Sequence, residues 1–320
     1  MRPPDALLSL LRGAPRRALM LGHVHPDADV IGTLLALGLA LEPRGWTVAS
    51  GGPHAAPEVL GFLPGVERYR PLPRVEGPLD VAVLTDCPNP ARTEGLLEQA
   101  RAAGATVVNI DHHHDNRRYG DVDWVEPGAA ATGEMVYELL AALGVPLTPA
   151  IATNLFTAVH MDTGSFRYSN VTPDTFRIAG ALVAAGADPA FVSGRLYERR
   201  PPEALRWLGE ALARVQVGLD GRVAWLALPA GLVPETFVEA EDLVNYLRSI
   251  ASVRVACLLR ERDGAVKVSL RGKGDVDVSR IAARFGGGGH PNAAGCTVTR
   301  SLSGATDEVL AAVREALAGR

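Results

Sequence analysis

Four short apolar runs, Ala18-Leu19-Met20-Leu21, Trp46-Thr47-Val48-Ala49, Val81-Ala82-Val83-Leu84 and Thr106-Val107-Val108-Asn109-Ile110, punctuate the early part of the chain. Each has the length of a buried strand. Stretches of helical length and composition, Val30 to Leu41 and Thr93 to Ala103, lie between them. Strands alternating with helices imply βαβ units and a parallel sheet. From Thr132 to Ala185 the pattern turns helical. Glu134 to Leu140 predicts one helix, ended at Gly144. Pro149 suits the first position of a second, running towards His160, and a third starts near Pro173. The expected fold is α/β: a mostly parallel sheet with helices on both faces.

The 320 residues are too many for one ordinary core and suit two domains. Pro189, Pro201, Pro202 and the charged Glu198-Arg199-Arg200 predict a linker over 189–205, between domains 1–188 and 206–320. The second half reads differently. Asp220-Gly221 and Asp263-Gly264 each separate two β-rich runs, as hairpin turns do. Helices near Glu241–Ile250, Val278–Phe285 and Thr306–Ala318 would complete a smaller α+β domain. The net charge of −4 is split between a net acidic first part and a net basic second part. That suits one half that holds cations and another that holds an anion.

Several classes are excluded as expectations. No apolar run reaches the ~18 residues of a membrane span. Leu7-Leu8-Ser9-Leu10-Leu11 lacks a basic lead-in, so no signal peptide is read. Cys87, Cys257 and Cys296 form no CxxC pair, which argues against a disulfide framework or thiolate zinc and for a reducing cytoplasm.

Chemistry concentrates at strand ends, where α/β sheets bind ligands. His23-Val24-His25-Pro26-Asp27-Ala28-Asp29 follows the first run, Asp86 the third, and Asp111-His112-His113-His114 the fourth. In an extended loop Asp27 and Asp29 would point the same way and could serve two metals, with His23 joining one. Either Asp alone reads as a helix cap for Val30. Asp86, taken singly, reads equally as a turn residue before Pro88. Met161-Asp162-Thr163-Gly164 places an acid at a helix C-terminus, against the helix dipole, which favours a functional role for Asp162.

Together these residues resemble the DHH phosphoesterase family. Gly22 to Asp29 looks like its first motif, Asp86 its second, Asp111-His112-His113 its third and Asp162-Thr163-Gly164 its fourth. Gly286-Gly287-Gly288-Gly289-His290 resembles the signature of the DHH-associated C-terminal domain. In layout the chain is similar to the compact NrnA-type oligoribonucleases and dinucleotide phosphodiesterases. The resemblance assigns His23, Asp27 and Asp86 to one metal and Asp29, Asp86, His112 and Asp162 to the other, with Asp86 bridging. His113 would contact the scissile phosphate and, with Asp86, be catalytic. Arg271, Lys273, Gly286, Gly287, Gly288, Gly289 and His290 would bind substrate, the glycines by bringing backbone N–H groups close to a phosphate. Thr33 and Cys87 stand where the family often has Ser and Ser or Thr. His25, His114 and His160 fall outside the pattern and read as structural or as supporting the ligand residues from behind, and Phe166 and Tyr168 as core or as base-stacking.

A nitrogen and oxygen ligand set suits two divalent ions, Mn²⁺ before Mg²⁺. The implied activity is hydrolysis of very short RNA or linear dinucleotides such as pApA to 5′-mononucleotides, in a cleft between the domains. A 3′-phosphatase activity on adenosine 3′,5′-bisphosphate is implied as well. A cyclic dinucleotide is the runner-up substrate. A manganese pyrophosphatase, a RecJ-type exonuclease and an inactive nucleotide sensor rank lower. No membrane partner is expected, and a homodimer is left open.

Overall fold

In the computed structural model, which describes residues 1–14, 16–232 and 243–318, the chain forms two compact units that divide between Arg199 and Arg200. The first contains α1 (Asp5–Arg12), β1 (Arg17–Leu21), α2 (Ala28–Leu41), β2 (Thr47–Gly52), β3 (Tyr69–Pro71), β4 (Val81–Thr85), α3 (Leu96–Ala102), β5 (Thr106–Asp111), β6 (Val122–Val125), α4 (Thr132–Ala142), α5 (Pro149–Asp162), α6 (Pro173–Ala184) and α7 (Pro189–Tyr197). Its six strands run in the order β3-β2-β1-β4-β5-β6, all parallel. The order reverses between β1 and β4, and a crevice opens at such a switch point beyond the strand ends.

The central strands are apolar throughout because both their faces are covered. Ala18, Met20, Val81, Val83, Val108 and Ile110 face α2, α4 and α5. Leu19, Leu21, Ala82, Leu84 and Val107 face Leu96, Leu97 and Ala100 of α3. Helix α2 is buried along nearly its whole length, and each leucine it buries is worth roughly 1.5–3 kcal/mol. It packs closely on α5 because Gly32 has no side chain: a Cβ there would lie 2.5 Å from the Asn154 carbonyl oxygen.

The second unit contains α8 (Pro202–Leu212), β7 (Gln216–Gly218), β8 (Val223–Leu228), α9 (Leu243–Ser249), β9 (Val255–Arg262), β10 (Ala265–Gly272), α10 (Val278–Ala283), β11 (Gly288–His290), β12 (Ala293–Val298) and α11 (Leu302–Ala318). Its strands run β11-β12-β10-β9-β8-β7, antiparallel except for β8 beside β9. Asp263-Gly264 forms a two-residue hairpin turn with positive φ at both residues, as that turn requires, and Asp220-Gly221, also at positive φ, lies within the four-residue connection from β7 to β8. Cores form on both faces, one with Ile281, Val309 and Val313 and the other with Ala204, Leu243 and Leu247.

Two features differ from the sequence reading, and a third falls partly outside the described residues. The stretch 189–205 is largely helical, since Pro189 and Pro202 each open a helix rather than break one. Short strands β3 and β6 extend the sheet at its two edges. The helix expected from Glu241 is described from Leu243, its first residues lying outside the described ones. Among the described residues, no single helix is long and apolar enough to cross a membrane.

Candidate metal centre

The loops after β1, β4 and β5, with the ends of α4 and α5, bring the acidic and histidine motifs together. Asp27 caps α2: its Oδ1 accepts from Asp29 N at 3.0 Å and Val30 N at 3.1 Å. Capping therefore occupies one carboxylate oxygen and leaves Oδ2 to other partners. Asp29 is not in an extended loop beside it, as the spacing suggested, but in the first helical turn. There it is buried, and its carboxylate spans to the start of α4, accepting from Thr132 N at 2.7 Å and Gly133 N at 2.8 Å. Helix N-termini carry unsatisfied N–H groups and attract such an anion.

Asp86 ends β4 in a left-handed conformation, φ 53°. Aspartate tolerates that region better than most residues. One of its oxygens lies 3.2 Å from His112 Nε2 and 3.3 Å from His113 Nδ1. His112 Nε2 also lies 3.1 Å from Asp162 Oδ2 and 3.9 Å from Asp29 Oδ2. His112 Nδ1 sits 3.0 Å from the Ala129 carbonyl, and His23 Nδ1 sits 2.8 Å from the Val24 carbonyl. A carbonyl only accepts, so each Nδ1 donates, and in the neutral ring Nε2 carries the lone pair. His23 Nε2 is fully buried and has no hydrogen-bond partner among the described residues. Metal-ligating histidines are oriented in this way, by the hydrogen bond of the other ring nitrogen. Ligand atoms of Asp29, Asp86 and His112 lie within 4.8 Å of one another. The donor set, carboxylate oxygens and imidazole nitrogens, fits divalent cations.

His113 is held differently. Its Nδ1 lies 2.8 Å from Asp111 Oδ1, and Asp111, fully buried, is fixed in turn by Asn116. Asn116 also donates to Asn109 Oδ1 at 2.7 Å. Behind Asp86, the Cys87 carbonyl accepts from Asn109 at 3.2 Å and from the Tyr119 hydroxyl at 2.8 Å.

Charge crowding shifts the titrations. Removal from bulk water, with Asp86 and Asp162 nearby, pushes the Asp27 carboxyl up to about 7, although the residue keeps one side open to solvent. Burial and the same two neighbours raise Asp29 against the pull of its two N–H donors. Burial would lift Asp86, yet His113 and His112 hold it well below the usual carboxylate range. Burial disfavours the charged form of both imidazoles, but Asp162 and Asp86 raise His112, and Asp86 and Asp111 hold His113 up to about 10. Burial lowers His23 to about 4, keeping its ring neutral.

Three consecutive left-handed residues, Gly164, Ser165 and Phe166, turn the chain sharply after Asp162. Phe166 packs between Phe156 and the exposed Phe176, and the Tyr168 ring fills the space beside Gly164. His25 and His54 meet edge to face at 4.6 Å, and His160 is buried against Phe156. His114 is exposed.

In the second unit the glycine run is not an open loop. Gly288–His290 is strand β11, and a Cβ at Gly287 would strike the Gly295 carbonyl at 2.1 Å. These glycines permit close strand packing. Arg271 and His290 both lie opposite Ala293 in the register, so they share a sheet face across a small residue. Lys273 is engaged in structure: Nζ donates to the Ile250 carbonyl at 2.8 Å.

Sequence reasoning missed the Thr132 and Gly133 N–H donors, the Ala129 carbonyl and Asn116. Thr132 before an apolar helix was the one legible hint.

Residues 17–159 match the DHH family, N-terminal domain, and residues 236–319 match the DHHA1 domain. The chain belongs to the DHH family and is a phosphoesterase of that family. It is 38% identical over 299 residues to the bifunctional oligoribonuclease and PAP phosphatase NrnA of Thermus thermophilus, covering 92% of this chain and 88% of that protein. It is 29% identical to the Bacillus subtilis protein of the same description, over 86% of this chain and 87% of the other. An exopolyphosphatase-related protein from Bacteroides fragilis superposes with a TM-score of 0.86 at 25% identity, over 98% of this chain and 95% of that one.

Proposed function

We propose that the chain hydrolyses very short RNAs and linear dinucleotides such as pApA to 5′-mononucleotides. We propose also that it removes the 3′-phosphate of adenosine 3′,5′-bisphosphate. One observation carries the reading: two imidazoles are each pinned through Nδ1 on a backbone carbonyl, which turns Nε2 of His112 towards Asp86 and Asp162 and leaves Nε2 of His23 buried without a partner among the described residues. The two curated relatives, both described as oligoribonuclease and PAP phosphatase, support the substrate class.

In this reading His23, Asp27 and Asp86 hold one divalent ion, and Asp29, Asp86, His112 and Asp162 hold the other, with Mn²⁺ preferred. When bound, such a pair supplies Lewis acidity, acidifying a water and neutralising charge on the phosphate. The chain's own groups do the rest. Asp111 orients His113, and Asp86 with Asp111 favours its cationic form, so that it donates a hydrogen bond to a phosphate oxygen as negative charge builds there. Thr132 N and Gly133 N fix Asp29. In the second unit, Arg271 and His290 bind another part of the substrate; Gly286, Gly287, Gly288 and Gly289 support the strand that carries His290, and Lys273 braces the end of α9.

The test is a chromatographic assay with Mn²⁺ on pApA, longer RNAs, adenosine 3′,5′-bisphosphate and a cyclic dinucleotide. Fastest turnover on the linear dinucleotide, with release of 5′-mononucleotides, is expected. Faster turnover of the cyclic dinucleotide or of long RNA would overturn the substrate assignment.

A further inference from the structure

A cation at the rim of the centre has no part in the roles above. A 3₁₀ turn, Pro90–Thr93, follows β4 and Asp86. It is rigidly built: Asn89 Oδ1 accepts from Ala91 N at 3.1 Å, and the fully buried Thr93 donates to the Pro90 carbonyl at 2.8 Å. Val24 N, between His23 and His25, donates to the Arg92 carbonyl at 2.8 Å. The backbone of Arg92 is thus tied to the segment that carries the first motif.

The Arg92 side chain is half-buried, and among the described residues its guanidinium makes no ion pair or hydrogen bond. Several other arginines of the unit are paired: Arg68 sits on Glu42, Arg101 on Asp121, and Arg177 on Glu138 and Asp174. The bond from Val24 N sets the Arg92 cation beside the loop that carries His23 and Asp27. A half-buried guanidinium with unused donors is costly unless an anion meets it. Divalent ions held by the aspartates would repel it further, so the anion cannot be one of those carboxylates. A phosphate offers what the fork-shaped guanidinium binds best, two oxygens at once.

We propose that Arg92 binds a non-bridging oxygen of the phosphate under attack, from the side of His23 and Asp27. The assignment rests on the function proposed above and adds a catalytic contact to it. Removing the contact should slow every substrate alike, because all share that phosphate.

The experiment compares wild type, Arg92→Gln and Arg92→Lys in Mn²⁺-loaded form. It measures kcat/KM on pApA, adenosine 3′,5′-bisphosphate and bis(p-nitrophenyl) phosphate, with inorganic phosphate affinity by calorimetry, Mn content by mass spectrometry and Tm. Arg92→Gln should lose about 100-fold on all three substrates, the scale of one transition-state donor. Its phosphate affinity should fall, while Mn content and Tm stay at wild-type values. Arg92→Lys should be intermediate, and free guanidinium ion should partly restore Arg92→Gln. Unchanged rates with unchanged phosphate affinity would overturn the proposal. So would losses that follow Mn content, or a loss confined to pApA. If wild type turned over none of the substrates, the proposed function would fail, and the phosphate affinities of the two proteins would still decide whether Arg92 binds the anion.

Discussion

His112 and His113 are neighbours in sequence, yet their rings hold protons for different reasons. His112 donates Nδ1–H to the Ala129 carbonyl, so its second proton sits on Nε2, between Asp86 and Asp162. That proton occupies a position suited to a divalent ion, and a metal would displace it. The His113 proton on Nδ1 points to Asp111 and has no such competitor. His112→Gln is therefore expected to lose bound Mn²⁺ and activity together. His113→Gln should keep its Mn²⁺ and lose kcat by roughly 100- to 1,000-fold. Metal analysis beside kinetics separates the two, and Mn loss in His113→Gln would make that residue a ligand. Asp86→Ala, which removes the carboxylate touching both rings, should abolish both metal retention and turnover, read by the same measurements. These side chains were legible because polar residues that end an apolar strand have little packing value. Asn116 and the Ala129 carbonyl were not: an isolated Asn in a loop and a main-chain oxygen carry no mark of what they face.

At the scale of elements, α2 and α5 position the centre by packing closely, since α2 carries Asp29 and α5 ends at Asp162. Gly32→Val would drive a side chain into the Asn154 carbonyl. It should destabilise the fold by about 1–3 kcal/mol and weaken Mn²⁺ binding, because the two helices must part. Denaturant midpoints and metal titration check this; a variant with unchanged midpoint would mean that the contact relaxes freely. Central strands and long helices were readable from apolar runs and from Pro149, Pro173 and Gly144. Others were not. A cap for Val30 was legible at either Asp, but not which of the two takes it; with Asp27 as the cap, Asp29 falls in the first turn of α2 instead of an extended loop. The glycine run suggested backbone brought close to a phosphate, whereas Gly288 to His290 pairs with the strand just beyond Pro291-Asn292, and the close approach of Gly295 to Gly287 comes from that hairpin.

For the whole molecule, the raised groups make stability depend on pH and on metal together. Asp27, at about 7, is above its ordinary value; its stabilising effect is full at low pH and is lost as pH rises through about 7. His113, also raised, stabilises fully below its ordinary value and loses that effect as pH rises towards about 10. The metal-free protein should therefore lose Tm between pH 6 and pH 8, on the scale set by the Asp27 titration near pH 7. Added Mn²⁺ should raise Tm more at pH 8 than at pH 6, because fewer protons have to leave. Scanning calorimetry with and without Mn²⁺ measures both, and a larger gain at pH 6 would contradict the assignment of Asp27. One further consequence concerns how such a protein is made. The Asp29 carboxylate grips the backbone of Thr132 and Gly133, more than a hundred residues later in the chain. A ribosome adds about 5–20 residues per second, so for several seconds Asp29 has emerged while the helix that fixes it does not yet exist. Asp162 follows later still. During synthesis the residues proposed to hold the ions are scattered along an unfinished chain, so under that proposal loading with metal would be a late event in the life of each molecule.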